Sequence, residues 1–250
     1  MRGKVERVAV EILRSIHKAG DPMLDALEKV IPDSVSTRVY QGNTEWLILY
    51  GVGAPEHNSA RNRHIANGGK VLIWDLGYTD RKNNFRMSIN DDHPQRWLDK
   101  TPTDKDLGVT LRDVHDPNGP VILVGMGRKS RAYLNEHSWE RRAFAKLRKR
   151  GKKIIFRPKG RDQVELPGVA TDRKKDFNDL LVGASLVYAR HSNCCIDAII
   201  SNVPFMCEDG AAKWLKDLSQ RETFLSKLAY WQWKPSQAAE AWEFAQRVVK

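Results

Sequence analysis

The chain has 250 residues, of which 41% are hydrophobic and 29% are charged. This length suits one large domain or two small ones, and the apolar content is sufficient for a buried core. No apolar run approaches the length of a membrane span, and Met1–Gly20 lacks the apolar region of a secretory signal. These features argue against a membrane or secreted protein and predict a soluble protein of the cytoplasm.

Three cysteines, Cys194, Cys195 and Cys207, are too few for a disulfide framework. They also lack the CxxC pair that is typical of a zinc site. We therefore expect buried, reduced thiols in a reducing compartment, and we expect no metal centre.

The formal net charge of +11 is the strongest feature of the composition. A basic surface attracts polyanions such as nucleic acid, nucleotides or acidic membranes. The basic residues cluster in one stretch: Arg141, Arg142, Lys146, Arg148, Lys149, Arg150, Lys152 and Lys153. Clustering favours a polyanionic partner over a merely solvated basic face, but phosphate contacts alone predict no sequence readout.

In the first part of the chain, apolar patterns predict alternating helices and strands. Helices are expected over Val5–Lys18, Pro22–Val30 and Asn58–Ala66, and strands over Val35–Tyr40, Thr44–Tyr50 and Lys70–Leu76. Such alternation is typical of an α/β layer.

Asp75 stands near the end of the strand Lys70–Leu76. A carboxylate at the end of a parallel strand could act as a general base. On position alone, an ordinary turn aspartate beside Gly77 is the favoured interpretation. Three basic residues follow it closely: Arg81, Lys82 and Arg86.

The polar stretch Asp91–Asn118 has no clear periodicity and is predicted to link two lobes. The second lobe then begins with a strand over Pro120–Gly125, which leads into a glycine-and-basic turn. In that turn the backbone near Gly127 could approach a phosphate, with Arg128 and Lys129 adding charge. A flexible surface turn is the alternative.

A basic amphipathic helix, Ser138–Arg150, and a strand, Lys153–Phe156, follow the glycine turn. The strand delivers Arg157 and Lys159 around a proline. A guanidinium fixed in this way could bind a phosphate or carboxylate with two hydrogen bonds.

The segment Val187–Glu208 has the pattern of a βαβ unit. A buried strand over Ser185–Ala189 is followed by His191, Ser192 and Asn193 and by a helix over Ile196–Ile200. Ligands of open α/β sheets bind beyond the carboxyl ends of the strands, so this turn is a candidate site for a phosphate-bearing ligand. Ser192 and Asn193 could instead simply cap the helix.

The remaining apolar patterns predict helices near the C-terminus. They cover Phe177–Leu181, Ala211–Leu218, Glu222–Trp231 and Ser236–Val249.

The order of these segments resembles the nucleotide-sugar-binding half of GT-B glycosyltransferases. The matching features are the glycine turn, the basic helix, the strand with an Arg-Pro pair, the HSN turn and the closing SNVP. Three further segments look like bacteriophage and prophage proteins of this type: GKVLIWDLGYTDRKNNFRMSIN (Gly69–Asn90), IIFRPKG (Ile154–Gly160) and LAYWQW (Leu228–Trp233). The resemblance runs from about Trp46 to the C-terminus.

This resemblance implies an α/β fold with two compact Rossmann-like lobes facing a cleft. Residues 1–110 would form the acceptor-side lobe and residues 111–250 the nucleotide-sugar-binding lobe. The chain is short for this fold, so one lobe must be trimmed, and Lys159 stands where related enzymes often carry a histidine.

The implied activity is sugar transfer from a nucleotide sugar to a hydroxyl on a modified base of phage DNA, in the host bacterial cytoplasm. Asp75 would deprotonate the acceptor, and no cofactor or metal would be needed. Residues expected at the donor are Gly127, Arg128, Lys129, Arg157, Lys159, His191, Ser192 and Asn193. Residues expected to contact DNA are Arg81, Lys82 and Arg86.

Two other functions fit the same residues. One is a nucleic-acid-binding protein that keeps the α/β fold without chemistry, and the other is a glycosyltransferase acting on a surface polysaccharide. Donor binding separates the first alternative from a transferase, and salt-dependent DNA binding separates the second from a DNA-modifying enzyme.

Overall fold

The computed structural model describes residues 10–15, 18–159 and 165–250. Half of the predicted helix Val5–Lys18 lies outside these residues. Within them that prediction is wrong, because Val10–Leu13 is a strand with all four residues buried. A short, mostly apolar run fits a strand that is buried on both faces as well as it fits a helix, so spacing alone could not separate the two.

The chain forms two compact units, and each contains its own sheet. Unit 1 consists of the chain up to Leu107 together with Leu225–Lys250, and unit 2 is Gly108–Phe224. The change of unit at Leu107 lies inside the segment predicted to be a linker. The predicted division placed residues 111–250 together, whereas the structure places the C-terminal segment in unit 1.

The strands are short and mostly buried. In unit 1 they are β1 (Val10–Leu13), β2 (Ser34–Thr37), β3 (Trp46–Tyr50), β4 (Lys70–Leu76) and β5 (Phe85–Ile89). In unit 2 they are β6 (Val121–Val124), β7 (Ile154–Arg157), β8 (Ala170–Thr171), β9 (Leu186–Ala189) and β10 (Phe205–Cys207). The last strand, β11 (Gln232–Trp233), belongs to the sheet of unit 1.

The helices alternate with these strands. Those of the first half are α1 (Asp21–Val30), α2 (Pro55–Ala66), α3 (Arg128–Leu134) and α4 (Trp139–Arg148). Those of the second half are α5 (Phe177–Leu181), α6 (Cys194–Ile200), α7 (Arg221–Ala229) and α8 (Ala238–Val248). Short 3-10 turns occupy Lys18–Gly20, Gln95–Lys100, Ala211–Trp214, Leu218–Gln220 and Pro235–Gln237.

Unit 1 has the strand order β11-β5-β4-β3-β1-β2. The strands β1 to β4 are parallel, β5 runs antiparallel to β4, and β11 runs antiparallel to β5. The parallel part has the order 2-1-3-4, which is one of the two common doubly wound orders. The antiparallel pairing of β11 with β5 explains why the C-terminal segment belongs to this unit.

Unit 2 has the strand order β10-β9-β6-β7-β8, and all its strands are parallel. This is the 3-2-1-4-5 order of a Rossmann-like sheet. Its core contains Leu123, Trp139, Leu147, Phe156 and Tyr188, so α4 packs directly on the sheet. The α/β class and the Rossmann-like character of both sheets are therefore confirmed.

Candidate functional site

The strand order of unit 2 creates a switch point between β6 and β9. Within the sheet, β6 has β7 as its neighbour on one side and β9 as its neighbour on the other. Crevices for ligands form at such switch points, beyond the carboxyl ends of the strands. The two loops that begin there are Gly125–Gly127, after β6, and Arg190–Asn193, after β9.

A side-chain hydrogen bond joins the two sides of the switch point. His191 Nε2 lies 3.0 Å from Ser130 Oγ, on the first turn of α3. Segments that are about sixty residues apart in sequence are thereby brought together. The structure thus places two groups of predicted donor residues at one site: Gly127, Arg128 and Lys129 with His191, Ser192 and Asn193.

The loop after β6 is fixed by a buried ion pair that the sequence analysis missed. Arg131 and Glu140, 8% and 1% exposed, lie on α3 and α4. Arg131 Nη1 donates to Glu140 Oε2 at 2.5 Å, and its Nη2 donates to Oε1. Glu140 Oε1 also accepts the Met126 N–H at 2.8 Å, and Arg131 Nη2 donates to the Met126 carbonyl at 3.0 Å. The N–H and the carbonyl of Met126 are therefore both hydrogen-bonded to this ion pair.

The two glycines of this loop differ in their surroundings. A Cβ on Gly125 would lie 3.1 Å from the Phe156 ring, so a side chain there would crowd the core. A Cβ on Gly127 would meet nothing within 4 Å, and its backbone angles suit any residue. The structure therefore leaves open space beside Gly127, where a ligand can approach the backbone.

The other side of the switch point is held by Glu208, just after β10. Its carboxylate accepts hydrogen bonds from Tyr188 Oη at 2.7 Å and from Trp139 Nε1 at 2.9 Å. Burial alone would raise the pKa of Glu208, but these hydrogen bonds and the charge of Arg190 lower it. The Glu208 N–H donates to the Arg190 carbonyl at 3.0 Å, which ties β10 to the His191 loop.

Ser192 has the local role that the capping alternative proposed. Its Oγ accepts the Cys194 N–H at 3.2 Å, at the start of α6. Asn193 is the residue before the helix, and its side chain makes no capping hydrogen bond. The structure therefore assigns Ser192 a structural contact and places Asn193 beside it on the loop.

Arg157 is the last residue of β7, which pairs with β6, and Lys159 lies just beyond it. The Arg157 carbonyl accepts the Gly125 N–H at 2.8 Å, which joins it to the loop after β6. Its guanidinium donates to Asp172 Oδ1 at 3.0 Å, and Lys159 is exposed. The N–H groups of Lys175 and Lys174, together with the charge of Arg157, lower the pKa of Asp172. Arg157 is therefore held by an acidic partner that sequence reasoning did not identify.

In unit 1, Asp75 is engaged at both carboxylate oxygens. Its Oδ2 accepts Arg86 Nη2 at 2.6 Å, and its Oδ1 accepts the Leu76 N–H at 2.8 Å. The Asp75 side chain is nevertheless 39% exposed, whereas that of Arg86 is only 12% exposed. The two residues are directly opposite each other on the antiparallel strands β4 and β5.

Arg86, which the sequence predicts as a DNA contact, makes its polar contacts within unit 1. Its Nη1 donates to the Asp92 carbonyl at 2.6 Å and lies 3.1 Å from His93 Nδ1. With Asp75 on the other nitrogen, the guanidinium is committed within unit 1. Arg81 and Lys82 are exposed on the loop between β4 and β5, near the end of β4 where Asp75 lies.

Two tyrosines interact electrostatically with the Asp75–Arg86 pair. Burial and the negative charge of Asp75 raise the pKa of Tyr50 to about 12. Burial likewise raises the pKa of Tyr78 to about 12, and Arg86 lies 5.9 Å from the centre of its ring. Both phenols therefore stay protonated at neutral pH and can donate hydrogen bonds.

No group of three or more His, Cys, Asp or Glu side chains in the described part of the chain is placed to hold a metal ion. Each helix among these residues is too short or too polar to cross a membrane.

No protein-family model matches the chain, and no curated protein matches it. Among solved structures, it is similar to two proteins of Thermosulfurimonas dismutans. With the KpsC β-Kdo 2,4 transferase it shares 11% identity and a TM-score of 0.54, over 93% of this chain and 94% of that chain. With the KpsC β-Kdo 2,7 transferase it shares 12% identity and a TM-score of 0.52, over 93% of this chain and 97% of that one. The chain therefore shares the fold of these two structures.

Proposed function

We propose that this protein is a glycosyltransferase that takes its sugar from a nucleotide sugar held at the switch point of unit 2. One observation carries the proposal. Two predicted donor segments, far apart in sequence, meet across the His191–Ser130 hydrogen bond at the ligand-binding edge of the sheet. The fold shared with the two Kdo transferases supports the same function.

The proposed donor site is rich in groups that favour phosphate. Arg128 and Lys129 are exposed directly after the loop residue Gly127, and Lys159 is exposed beyond β7. Cations placed there stabilise the negative charge that develops on a departing nucleotide. This role of the side chains makes a catalytic metal unnecessary, and metal independence belongs to the proposal.

Asp75 is the proposed base. Each carboxylate oxygen accepts one hydrogen bond within the protein and keeps a second acceptor position. In the transfer step the acceptor oxygen forms a bond to the anomeric carbon as the bond from that carbon to the phosphate oxygen breaks. The nucleotide leaves with the electron pair of that bond, and the hydroxyl proton passes to Asp75.

The first candidate acceptor is a hydroxyl on a modified base of DNA. The net charge of +11 and the exposed Arg81 and Lys82, at the same end of β4 as Asp75, support a polyanionic acceptor. A base inside a duplex would have to be flipped out to reach a carboxylate. The nucleotide sugar is then a co-substrate, and no other cofactor is proposed.

A saccharide hydroxyl is the second candidate acceptor. Its support is the similarity to two Kdo transferases, which extends over 93% of this chain.

The donor is tested by thermal unfolding against a panel of nucleotides and nucleotide sugars. A ligand that binds only the folded state at about 100 times its Kd stabilises it by about 2.7 kcal/mol. We expect one nucleotide family to raise the Tm of the wild-type protein, and Arg128→Ala/Lys129→Ala to reduce that rise. The matched control is Lys149→Ala/Arg150→Ala, which removes two exposed cations from another part of unit 2.

A panel that leaves the Tm unchanged would contradict a nucleotide-sugar transferase and favour the non-catalytic alternative. With the donor known, transfer of labelled sugar to hydroxymethylated duplex DNA is compared with transfer to an acidic oligosaccharide. The labelled product identifies the acceptor class.

A further inference from the structure

A basic face covers the outer side of α4 and the loop that follows it. It consists of eight side chains of exposed residues: Arg141, Arg142, Lys146, Arg148, Lys149, Arg150, Lys152 and Lys153. The face is held rigidly because Trp139, Ala143 and Leu147, spaced four residues apart, are buried in the core of unit 2. The helix that carries this face is therefore fixed on the sheet, and the eight basic residues remain exposed.

Acidic groups neutralise little of this face. Between Trp139 and Lys153 the only acidic residue is Glu140, which is buried and bonded to Arg131. Arg142 pairs with Glu136 at 2.7 Å. Within the part of the chain that the structure describes, the other seven cations make no ion pair within 4 Å. The basic face is therefore a strongly positive surface that a polyanion can neutralise.

The basic face extends away from the proposed donor loops. Its C-terminal half, Arg148–Lys153, leads into the beginning of β7. The donor loops, Gly125–Gly127 and Arg190–Asn193, follow the carboxyl ends of β6 and β9. Because β6, β7 and β9 are parallel, these loops lie at the opposite end of the strands from the beginning of β7. A polymer bound along this half can leave the donor loops open.

The surrounding side chains narrow the class of polyanion. The large apolar residues that are exposed in the described chain, Val30, Val35, Val39, Leu76 and Val182, all lie outside α4 and its loop. A helix that binds a membrane surface needs an apolar face for the lipid, and the apolar face of α4 is already used by the core.

A single strand is also disfavoured as the partner. Proteins that bind single strands stack the bases on exposed aromatic rings. Phe144, the nearest aromatic residue of α4 outside the core cluster, is partly buried, and Arg148 lies over its ring at 5.8 Å. No ring of the described basic face is therefore fully exposed for stacking.

We propose that the basic face binds the phosphodiester backbone of double-stranded DNA without reading its sequence. Four of its eight cations are arginines, whose planar fork suits phosphate oxygens. Backbone contacts of this kind carry affinity and position but no sequence information. The proposal rests on the charge and packing of α4 and the loop that follows it, and it holds whether or not sugar transfer occurs. If DNA is the acceptor, this face holds the duplex during the reaction.

The test is fluorescence anisotropy with a labelled duplex of about 30 base pairs, at a series of salt concentrations. The face variant replaces Lys149, Arg150, Lys152 and Lys153 with alanine. The control variant replaces four exposed cations from other surfaces with alanine: Lys29, Arg38, Arg173 and Lys213. Both variants remove the same net charge, so they differ only in which surface is changed.

We expect the face variant to bind the duplex at least about 30-fold more weakly than the wild type. The slope of log Kd against log salt concentration should be smaller by about 3.6, because four phosphate contacts are lost and each contributes about 0.9. The control variant should lose less than about 3-fold. Equal losses in both variants, absence of duplex binding, or tighter binding of the wild type to single strands or to phosphatidylserine vesicles would overturn the proposal.

Two further measurements keep the result interpretable. Thermal unfolding of each variant establishes that it is folded, and Arg141→Ala/Lys146→Ala replaces the fourfold variant if that one unfolds. The Tm rise with the nucleotide sugar should be unchanged in the face variant. If the wild type binds no duplex but its Tm rises with the nucleotide sugar, this proposal fails and the proposed function stands. If it binds duplex through the basic face but its Tm does not rise, the proposed function fails and this proposal stands.

Discussion

The two units use charged residues at their strand ends in opposite ways. In unit 2, Arg128, Lys129 and Lys159 stay exposed around the switch point, and the buried charges lie behind the loop. In unit 1, Arg86 turns inward and pairs with Asp75 across two antiparallel strands. The neighbouring strand β5 places Arg86 directly opposite Asp75. In unit 2, Arg157 has a comparable acidic partner in Asp172, whereas Arg128, Lys129 and Lys159 lie outside the strands.

The two ion pairs also differ in burial. The side chains of Arg131 and Glu140 are 10% and 1% exposed, whereas Asp75 keeps 39% of its side chain exposed. A fully enclosed pair can only hold its surroundings in place. A pair with one exposed carboxylate can still contact a ligand. Unit 2 thus contains a structural pair behind a loop, and unit 1 contains a pair with one member at the surface.

The largest effect is expected when the enclosed pair is broken. Arg131→Met should lower the free energy of unfolding by about 3–5 kcal/mol, because it leaves the Glu140 charge buried without its partner. Urea unfolding measures the difference. Arg131→Met/Glu140→Leu serves as the control and should recover part of the loss. A single variant as stable as the wild type would show that the pair does not fix the loop.

Asp75→Asn should lower the rate of sugar transfer by about 100-fold or more, since the amide cannot accept the acceptor proton. Donor affinity should be unchanged, because the donor is proposed to bind unit 2. Transfer rates and nucleotide-sugar Kd values, measured together, check both statements. Full activity in this variant would remove Asp75 from the role of base.

Arg157→Ala should weaken nucleotide-sugar binding by about 10-fold, the value of one charge-assisted hydrogen bond of about 1.4 kcal/mol. Isothermal titration calorimetry measures the affinity. Asp172→Asn is the matched control, because it keeps the arginine and removes its acidic partner. Unchanged affinity in Arg157→Ala would rule out contact with the donor phosphates and leave Arg157 as a partner of Asp172.

A smaller effect is expected from Lys105 in unit 1. Its Nζ lies 3.2 Å from the centre of the Trp233 ring, and burial lowers its pKa to about 8. Between this value and the ordinary value of 10.5 the unfolded chain binds more protons, so stability should rise with pH in that window. Across that window the free energy of unfolding of the wild type should rise by about 1 kcal/mol more than that of Lys105→Met. Partial exposure of the lysine keeps the difference this small. Parallel stability curves for the two proteins would contradict the lowered pKa.

The sequence predicted the elements with strong local signals. The strand Lys70–Leu76 and the helix Phe177–Leu181 have the predicted bounds. The strand is a mostly apolar run followed by Gly77, and the helix begins after its N-cap residue Asp176 and ends shortly before Gly183. The sequence analysis missed α3, which is too short to show a helical period. It also missed β11, whose two residues become a strand only by pairing with β5.

The candidate site was predictable only in part, for the same reason. Glycine and basic residues after a strand indicate a phosphate loop locally, and the structure brings the two such loops together. The partners of Arg86, Arg131 and Arg157 come from other strands and helices, so local sequence could not identify them. An arginine looks the same in sequence whether it binds a ligand or a carboxylate of its own chain.

The most direct test of the donor site is hydrogen–deuterium exchange with and without the nucleotide sugar that gives the largest Tm rise. The account predicts slower exchange in peptides that cover Gly125–Arg131 and Arg190–Cys195, with no change over Arg141–Lys153. Protection confined to unit 1, or to the basic face, would contradict a donor site at the switch point of unit 2.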